Sequence, residues 1–123
     1  VEDIMRKGNH FAKVKETASV KNVLLAITRA RCGSACVVNA QNKLVGIFTD
    51  GDLRRQLERG QDVIKCKVKD VMTKNPTSVK RDILAAEALN ILQSRRIDEL
   101  PVVDKGKVVG LLDVQDLLKA GLV

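Results

Sequence analysis

The chain has few aromatic residues and cysteines and no long apolar run. Its 123 residues include two phenylalanines, no tryptophan or tyrosine, and one histidine. Apolar residues still make up 45% of the chain, so a core must be built from aliphatic side chains. Apolar runs such as 23–27 are far shorter than the roughly 18 residues that a membrane span requires, and no basic-then-apolar leader opens the sequence. We therefore expect a cytoplasmic globular module with no membrane partner.

The scarcity of cysteine and histidine argues against metal binding and nucleophilic catalysis. The three cysteines, Cys32, Cys36 and Cys66, are odd in number and form no Cys-x-x-Cys pair. His10 is the single histidine, so a Cys/His zinc site has too few ligands at any usual spacing. The sequence also contains no glycine-rich P-loop. We predict no metal site and no catalytic residue, so this chain by itself is not expected to be an enzyme.

The chain is basic, with a formal net charge of +7, but the charge is not concentrated. Residues 1–62 hold 11 Lys and Arg against 7 Asp and Glu, and residues 63–123 hold 11 against 8. Single-strand binders add aromatic stacking platforms and duplex readers add a basic recognition helix, and neither pattern occurs here. We predict no nucleic-acid partner, whereas a small anionic ligand is compatible with the basic charge.

An internal repeat is the strongest organisational signal in the sequence. Val-Glu-Asp-Ile-Met at 1–5 returns as Val-Lys-Asp-Val-Met at 68–72, and Gly-Ile-Phe at 46–48 returns as Gly-Leu-Leu at 110–112. The offset drifts from 67 to 64, which places length changes in loops. The repeat predicts two halves, 1–60 and 66–123, joined by a polar stretch.

Each half is predicted to contain a short helix, a strand, a helix, two strands and a final helix. Apolar residues recur at helical spacing in 20–27 and in 84–92, and β-branched runs around short turns indicate hairpins at 35–48 and 100–112. The final helices begin near Asp50 and Val114. Neither half can cover its own sheet, so we expect an α/β (α+β) fold in which two pseudo-symmetric repeats pack sheet to sheet.

These features resemble a tandem CBS-domain pair over essentially the whole chain. The resemblance rests on the paired Asp-Ile-Met and Asp-Val-Met starts and on the motif Gly-h-h-Thr-x-x-Asp, where h is apolar. The stretch 46–55, Gly-Ile-Phe-Thr-Asp-Gly-Asp-Leu-Arg-Arg, and the ending 116–123 also resemble the C-terminal regulatory part of bacterial arabinose 5-phosphate isomerases. The resemblance implies that a sugar isomerase domain precedes this module in the parent chain.

The motif that begins at Gly46 is the first candidate ligand site. Thr49 and Asp52 have the spacing of a capping box, which alone explains them as a helix start. The unpaired N–H groups of that helix start also favour an anion. The resemblance implies that Thr49 contacts a phosphate and Asp52 the ribose of a nucleotide. Arg54 and Arg55 follow at once, either as phosphate-binding residues or as part of a solvated helix face.

The second copy of the motif departs from the pattern. Asp113 replaces the threonine, an exchange that keeps a helix cap but sets a carboxylate against any phosphate. Asp116 remains available for a ribose. Thr77 stands where a strand is expected to begin, and it either starts that strand or lines the cleft. We therefore expect the Thr49 and Asp52 site to be the better nucleotide site, and the second to be altered or empty.

The resemblance implies a regulatory function for the module. A nucleotide or nucleotide-sugar (ATP, ADP, AMP or CMP-Kdo) would bind it, no cofactor would be required, and the parent enzyme would convert ribulose 5-phosphate to arabinose 5-phosphate for Kdo and lipopolysaccharide or capsule synthesis. Homodimers through the CBS pairs are also expected. The alternative is a structural dimerisation module that senses no ligand.

Overall fold

The computed structural model describes residues 1–121, so the last two residues of the predicted second repeat lie outside it. Two sheets and four α-helices make up the fold. Short 3-10 helices occupy Gly8–His10, Val63–Lys65 and Val68–Asp70. The strands and α-helices follow in chain order as β1 Ala12–Lys15, α1 Val20–Ala30, β2 Ser34–Val38, β3 Leu44–Thr49, α2 Asp50–Glu58, β4 Thr73–Lys74, β5 Val79–Lys80, α3 Ala85–Arg95, β6 Glu99–Asp104, β7 Lys107–Asp113 and α4 Val114–Lys119.

The two sheets share one topology. In the first, β1 runs parallel to β2, and β2, β3 and β4 are antiparallel to one another in that order. In the second, β5 runs parallel to β6, which is antiparallel to β7. The predicted α/β class and the helix–strand order of the two halves are confirmed. The exception is the short opening helix of the first half, whereas the 3-10 helix Val68–Asp70 occupies that position in the second half.

Residues 1–6 form a turn in place of the predicted opening helix. The amides of Ile4 and Met5 both donate to the Val1 carbonyl oxygen, at 2.9 Å each. Arg6 then exchanges two backbone hydrogen bonds with Leu111 of β7, at 2.8 and 3.0 Å. The segment enters strand pairing after one turn, which leaves too little chain to nucleate an α-helix.

The apolar stripes predicted for α1 and α3 lie mostly on the core. Val20 and Val23 of α1 are fully buried, as are Ala88 and Leu92 of α3. Leu84 was grouped with the buried stripe, and that interpretation is wrong. It is the N-cap of α3, where the backbone is still extended, and its side chain is 67% exposed.

The two halves exchange their opening segments. Val63, Val68 and Val71 pack in the core of the first sheet, while Met5 packs in the core of the second. A third cluster joins β2 to β7 between the sheets; it contains Phe11, Cys36, Val38, Val108 and Leu111. Each core therefore requires residues from the other half of the chain. Among residues 1–121, no helix is long and apolar enough to cross a membrane.

Candidate functional site

The N-terminus of α2 is built by the capping box that the sequence predicted. Thr49 Oγ1 accepts a hydrogen bond from the Asp52 amide at 3.2 Å, and Asp52 Oδ2 accepts one from the Thr49 amide at 2.9 Å. Gly51 lies in the first turn, and Asp50 and Asp52 place negative charge near the positive end of the helix dipole. The motif therefore positions α2 directly at the end of β3.

Asp52 is more completely bonded than a cap alone requires. Asp52 is buried, with an exposed fraction of only 3%. Oδ1 accepts hydrogen bonds from Thr73 Oγ1 at 2.8 Å and from Arg55 Nη2 at 2.5 Å, and Oδ2 also accepts one from Thr49 Oγ1 at 3.1 Å. A ribose hydroxyl would have to displace one of these partners, and the Arg55 side chain is 57% exposed.

In this structure Gly46 allows the Met72 side chain to pack closely against β3. A Cβ at Gly46 would lie 2.3 Å from Met72 Sδ, and a Cβ at Gly110 would lie 2.7 Å from Met5 Sδ. Each glycine of the repeated motif thus receives the methionine of the other half. Gly46 and Asp52 line neither of the two clefts described below, so the predicted site residues separate into lining and supporting groups.

A cleft of about 810 Å³ lies where the N-termini of α2 and α4 approach each other. Of the predicted site residues it brings together Thr49, Arg54, Arg55 and Thr77. Its apolar wall consists of Ile47, Ile97 and Val114, whereas both phenylalanines are buried in the core. We call this space the Thr49 cleft. Any flat ring in it would pack against aliphatic side chains.

The sequence interpretation missed several residues of the Thr49 cleft. Arg96, Asp98 and Glu99, at the junction of α3 and β6, line it together with Asp113 and Gly33. Burial raises the pKa of Glu99, and the nearby charges of Asp113 and Asp98 raise it further. The internal repeat links Glu99 to this site, because Glu99 and the fully buried Ser34 occupy equivalent positions, each paired with the N-cap residue of the following helix.

Asp116 lies in a different cleft, of about 1060 Å³, between α4 and the opening segment. Its Oδ2 accepts a hydrogen bond from Arg6 Nε at 2.9 Å, and Arg6 Nη1 donates to the Arg31 carbonyl oxygen at 2.7 Å. Five cationic side chains line this Asp116 cleft: Arg6, Lys7, Arg29, Arg31 and Lys119. Asp113, the residue expected to repel phosphate there, instead caps α4 and lines the Thr49 cleft.

The Cys32 and Cys36 thiols lack the lowered pKa of a reactive cysteine. Burial raises the pKa of the Cys36 thiol to about 12 and also raises the pKa of Cys32, so both stay protonated at neutral pH. Within residues 1–121, no group of three or more His, Cys, Asp or Glu side chains could hold a metal ion.

The comparisons with known proteins agree with the repeat and the fold. Residues 1–59 and 68–123 each match the family model of the CBS domain. The arabinose 5-phosphate isomerase KdsD of Escherichia coli strain K12 is 44% identical over 123 residues, which are 100% of this chain and 38% of that protein. The chain thus spans well under half the length of this curated relative.

Two solved structures have the same fold. CBSX2, solved in complex with AMP, has a TM-score of 0.82 and 28% identity, and the match covers 98% of this chain and 94% of that one. The CBS domain pair of protein MJ0100, solved with 5′-methylthioadenosine and S-adenosyl-L-methionine, has a TM-score of 0.85 and 24% identity, covering 100% and 97%. The chain belongs to the CBS-domain family and is a CBS-domain pair.

Proposed function

We propose that this chain is the regulatory ligand-binding module of an arabinose 5-phosphate isomerase, with a nucleotide or nucleotide-sugar as its ligand. The observation that carries the proposal is the Thr49 cleft, in which a helix start, the Thr49 hydroxyl and the exposed Arg54 and Arg55 face one space. The 44% identity to KdsD over the full chain supports the parent enzyme. CBSX2, a relative of the same fold, was solved with AMP.

The residues of the cleft suit a phosphate at one end and a base at the other. Arg54 and Arg96 supply guanidinium groups, which form strong charge-assisted hydrogen bonds to phosphate oxygens. Thr77 adds a hydroxyl, Thr49 adds another once its proton turns away from Asp52 Oδ2, and the aliphatic wall accepts the base. Asp52 is held by Arg55, so a phosphate that draws Arg55 away would free the carboxylate for a ribose.

Regulation would follow from linkage between the module and the catalytic domain. A ligand that binds one arrangement of the CBS pair more tightly shifts the population of the attached isomerase domains by its differential affinity. The parent reaction is the conversion of ribulose 5-phosphate to arabinose 5-phosphate, which leads to Kdo for lipopolysaccharide or capsule. ATP, ADP, AMP and CMP-Kdo are the ligands to compare.

Calorimetric titration of the chain with these four ligands tests the proposal. We expect saturable heat with at least one ligand and an affinity about tenfold lower for Arg54→Ala, because a charge-assisted hydrogen bond is lost. Arg59→Ala is the matched control, since Arg59 is an exposed arginine at the C-terminal end of the same helix and lies outside the cleft. No heat with any of the four ligands would refute the proposal.

A second candidate function, dimerisation without ligand sensing, is favoured by exposed leucines on two helices. Leu57 of α2 is 56% exposed and Leu118 of α4 is 42% exposed. Light scattering would show a dimer in either case. A purely structural module keeps the same mass and stability when AMP or CMP-Kdo is added.

A further inference from the structure

Glu99 carries a carboxylate oxygen that has no partner. Among the described residues, neither Glu99 Oε2 nor Ser34 Oγ makes a hydrogen bond of acceptable geometry, and both atoms are shut off from solvent. The Ser34 hydroxyl and the Gly33 backbone are close enough to oppose the rise in the pKa of Glu99, but neither forms a hydrogen bond of acceptable geometry with Oε2. A buried acceptor left in this state costs free energy that a bound N–H donor would recover.

Gly33 leaves the space beside this carboxylate open. A Cβ at Gly33 would lie 3.0 Å from Glu99 Oε1 and 3.3 Å from Oε2. Any other residue would crowd the carboxylate from the side of the cleft, since Gly33 and Glu99 both line it. The terminal torsion of a glutamate is soft, so rotation about it brings either oxygen to that side.

The Thr49 cleft carries charges of both signs: its cations are Arg54, Arg55 and Arg96, and its acids are Asp50, Asp98, Glu99 and Asp113. Arg54 and Arg55 lie on α2, and Glu99 is directly opposite Asp113 in the antiparallel register of β6 and β7. Ile97 and Val114 are the apolar neighbours of these two acids along the chain and also line the cleft. This arrangement suits a molecule with an anionic group and a flat apolar ring that carries an N–H donor.

We propose that Glu99 is a specificity-determining residue that selects a base with an exocyclic amine over the same base with a keto oxygen. The proposal rests on the proposed nucleotide-binding function of the Thr49 cleft. A carboxylate accepts a hydrogen bond from the amine of adenine or cytosine. A keto oxygen in the same place would set two acceptors against each other and leave Glu99 unpartnered.

Two matched pairs of nucleotides isolate this contact. AMP and IMP differ only in amine against keto at one ring position, with the accompanying ring proton, and so do CMP and UMP. Titration of the chain with all four should give AMP or CMP an affinity at least about tenfold above that of its keto partner. Glu99→Gln should abolish or reverse this ratio, because the amide of glutamine donates to a keto oxygen as readily as it accepts from an amine.

Glu87→Gln is the control, since it makes the same chemical change at an exposed glutamate of α3 that does not line the cleft. We expect it to keep the amine-to-keto ratio of the unaltered chain. A ratio near one in the unaltered chain, or an equal ratio in Glu99→Gln, would overturn the role of Glu99 while leaving nucleotide binding intact. Absence of binding by all four nucleotides would also overturn this inference, whereas the proposed function would fall only if ATP, ADP and CMP-Kdo gave no heat either.

Discussion

At Gly46 and Gly110 the absence of a Cβ atom allows a methionine of the other half to pack closely against the strand. Each glycine faces the thioether of a methionine that comes from the opening segment of the other half, Met72 or Met5. The repeat makes both glycines visible in the sequence, which places Gly46 in the candidate ligand site. The physical reason for glycine at Gly46 is close approach, which no local pattern reveals because the partner is 26 residues away in sequence.

Gly46→Ala is expected to lower the free energy of unfolding by about 1–3 kcal/mol, because the new methyl group overlaps Met72 Sδ. Urea denaturation followed by circular dichroism measures the loss. Gly51→Ala is the matched control: its Cβ would have ordinary contacts in a helical backbone, so stability should hold or rise by up to about 1 kcal/mol. Equal stability of the two variants would contradict the packing role of Gly46.

Glu99 should lower the free energy of unfolding as pH rises, whereas most acidic residues have the opposite effect. Its pKa is raised above 4.5 by burial and by Asp113 and Asp98, against the opposing effects of Ser34 and the Gly33 backbone. The folded chain therefore holds this proton more tightly than the unfolded chain. Its contribution to stability is complete below pH 4.5 and is lost as pH rises through the folded-state pKa.

The difference between the unaltered chain and Glu99→Gln isolates that contribution. At pH 7 we expect Glu99→Gln to be the more stable of the two, and we expect the difference to shrink as pH falls toward about 4.5. Urea midpoints at several pH values measure it. A pH-independent gap between the unaltered chain and Glu99→Gln would exclude this account.

At the scale of elements, α2 and α4 begin at the residues that the sequence indicated. Capping side chains act locally, so Thr49 and Asp113 were predictable without the fold. Strand β4 was not predicted, because its two residues have no apolar alternation and pair with β3 only through the tertiary structure. The predicted opening helix of the first half does not form for the same reason, since Arg6 pairs with Leu111 of β7.

Asp52 and Asp116 occupy equivalent helix positions but should differ in their effect on stability. Asp52→Ala removes a buried acceptor with partners in α2, β3 and β4, so we expect a loss of about 2–4 kcal/mol in the free energy of unfolding. Asp116→Ala removes one partly exposed ion pair with Arg6, for which we expect at most about 1 kcal/mol. Guanidinium or urea denaturation of both variants gives the comparison, and equal losses would be the contrary result.

At the scale of the whole molecule, the exchanged segments make the two halves one folding unit. Met5 is 6% exposed in the core of the second sheet, and Val68 is fully buried in the core of the first. Neither half retains its own core when it is separated from the other. The interface cluster between β2 and β7 adds a third contact between the halves.

Met5→Ala should perturb the second sheet although it lies at the start of the first repeat. Loss of a buried methionine side chain is expected to cost about 2–4 kcal/mol. Amide chemical shifts in an NMR spectrum should change most around Gly110 and Leu111. Met72→Ala is the matched variant and should perturb Gly46 instead; changes confined to the first sheet in Met5→Ala would contradict the exchange.

The sequence by itself determined the basic, aromatic-poor composition, the repeat, the helix caps and the hairpins, because each depends on residues close together in the chain. Only the tertiary structure decided which segments exchange. It also decided that the buried Asp52 holds Thr73 of the other half by a hydrogen bond, and that Glu99 and Asp113 line the same cleft as Thr49. These relations join residues from different halves, and periodicity and capping carry no information at that distance. The length of 123 residues therefore corresponds to one interlocked pair of repeats.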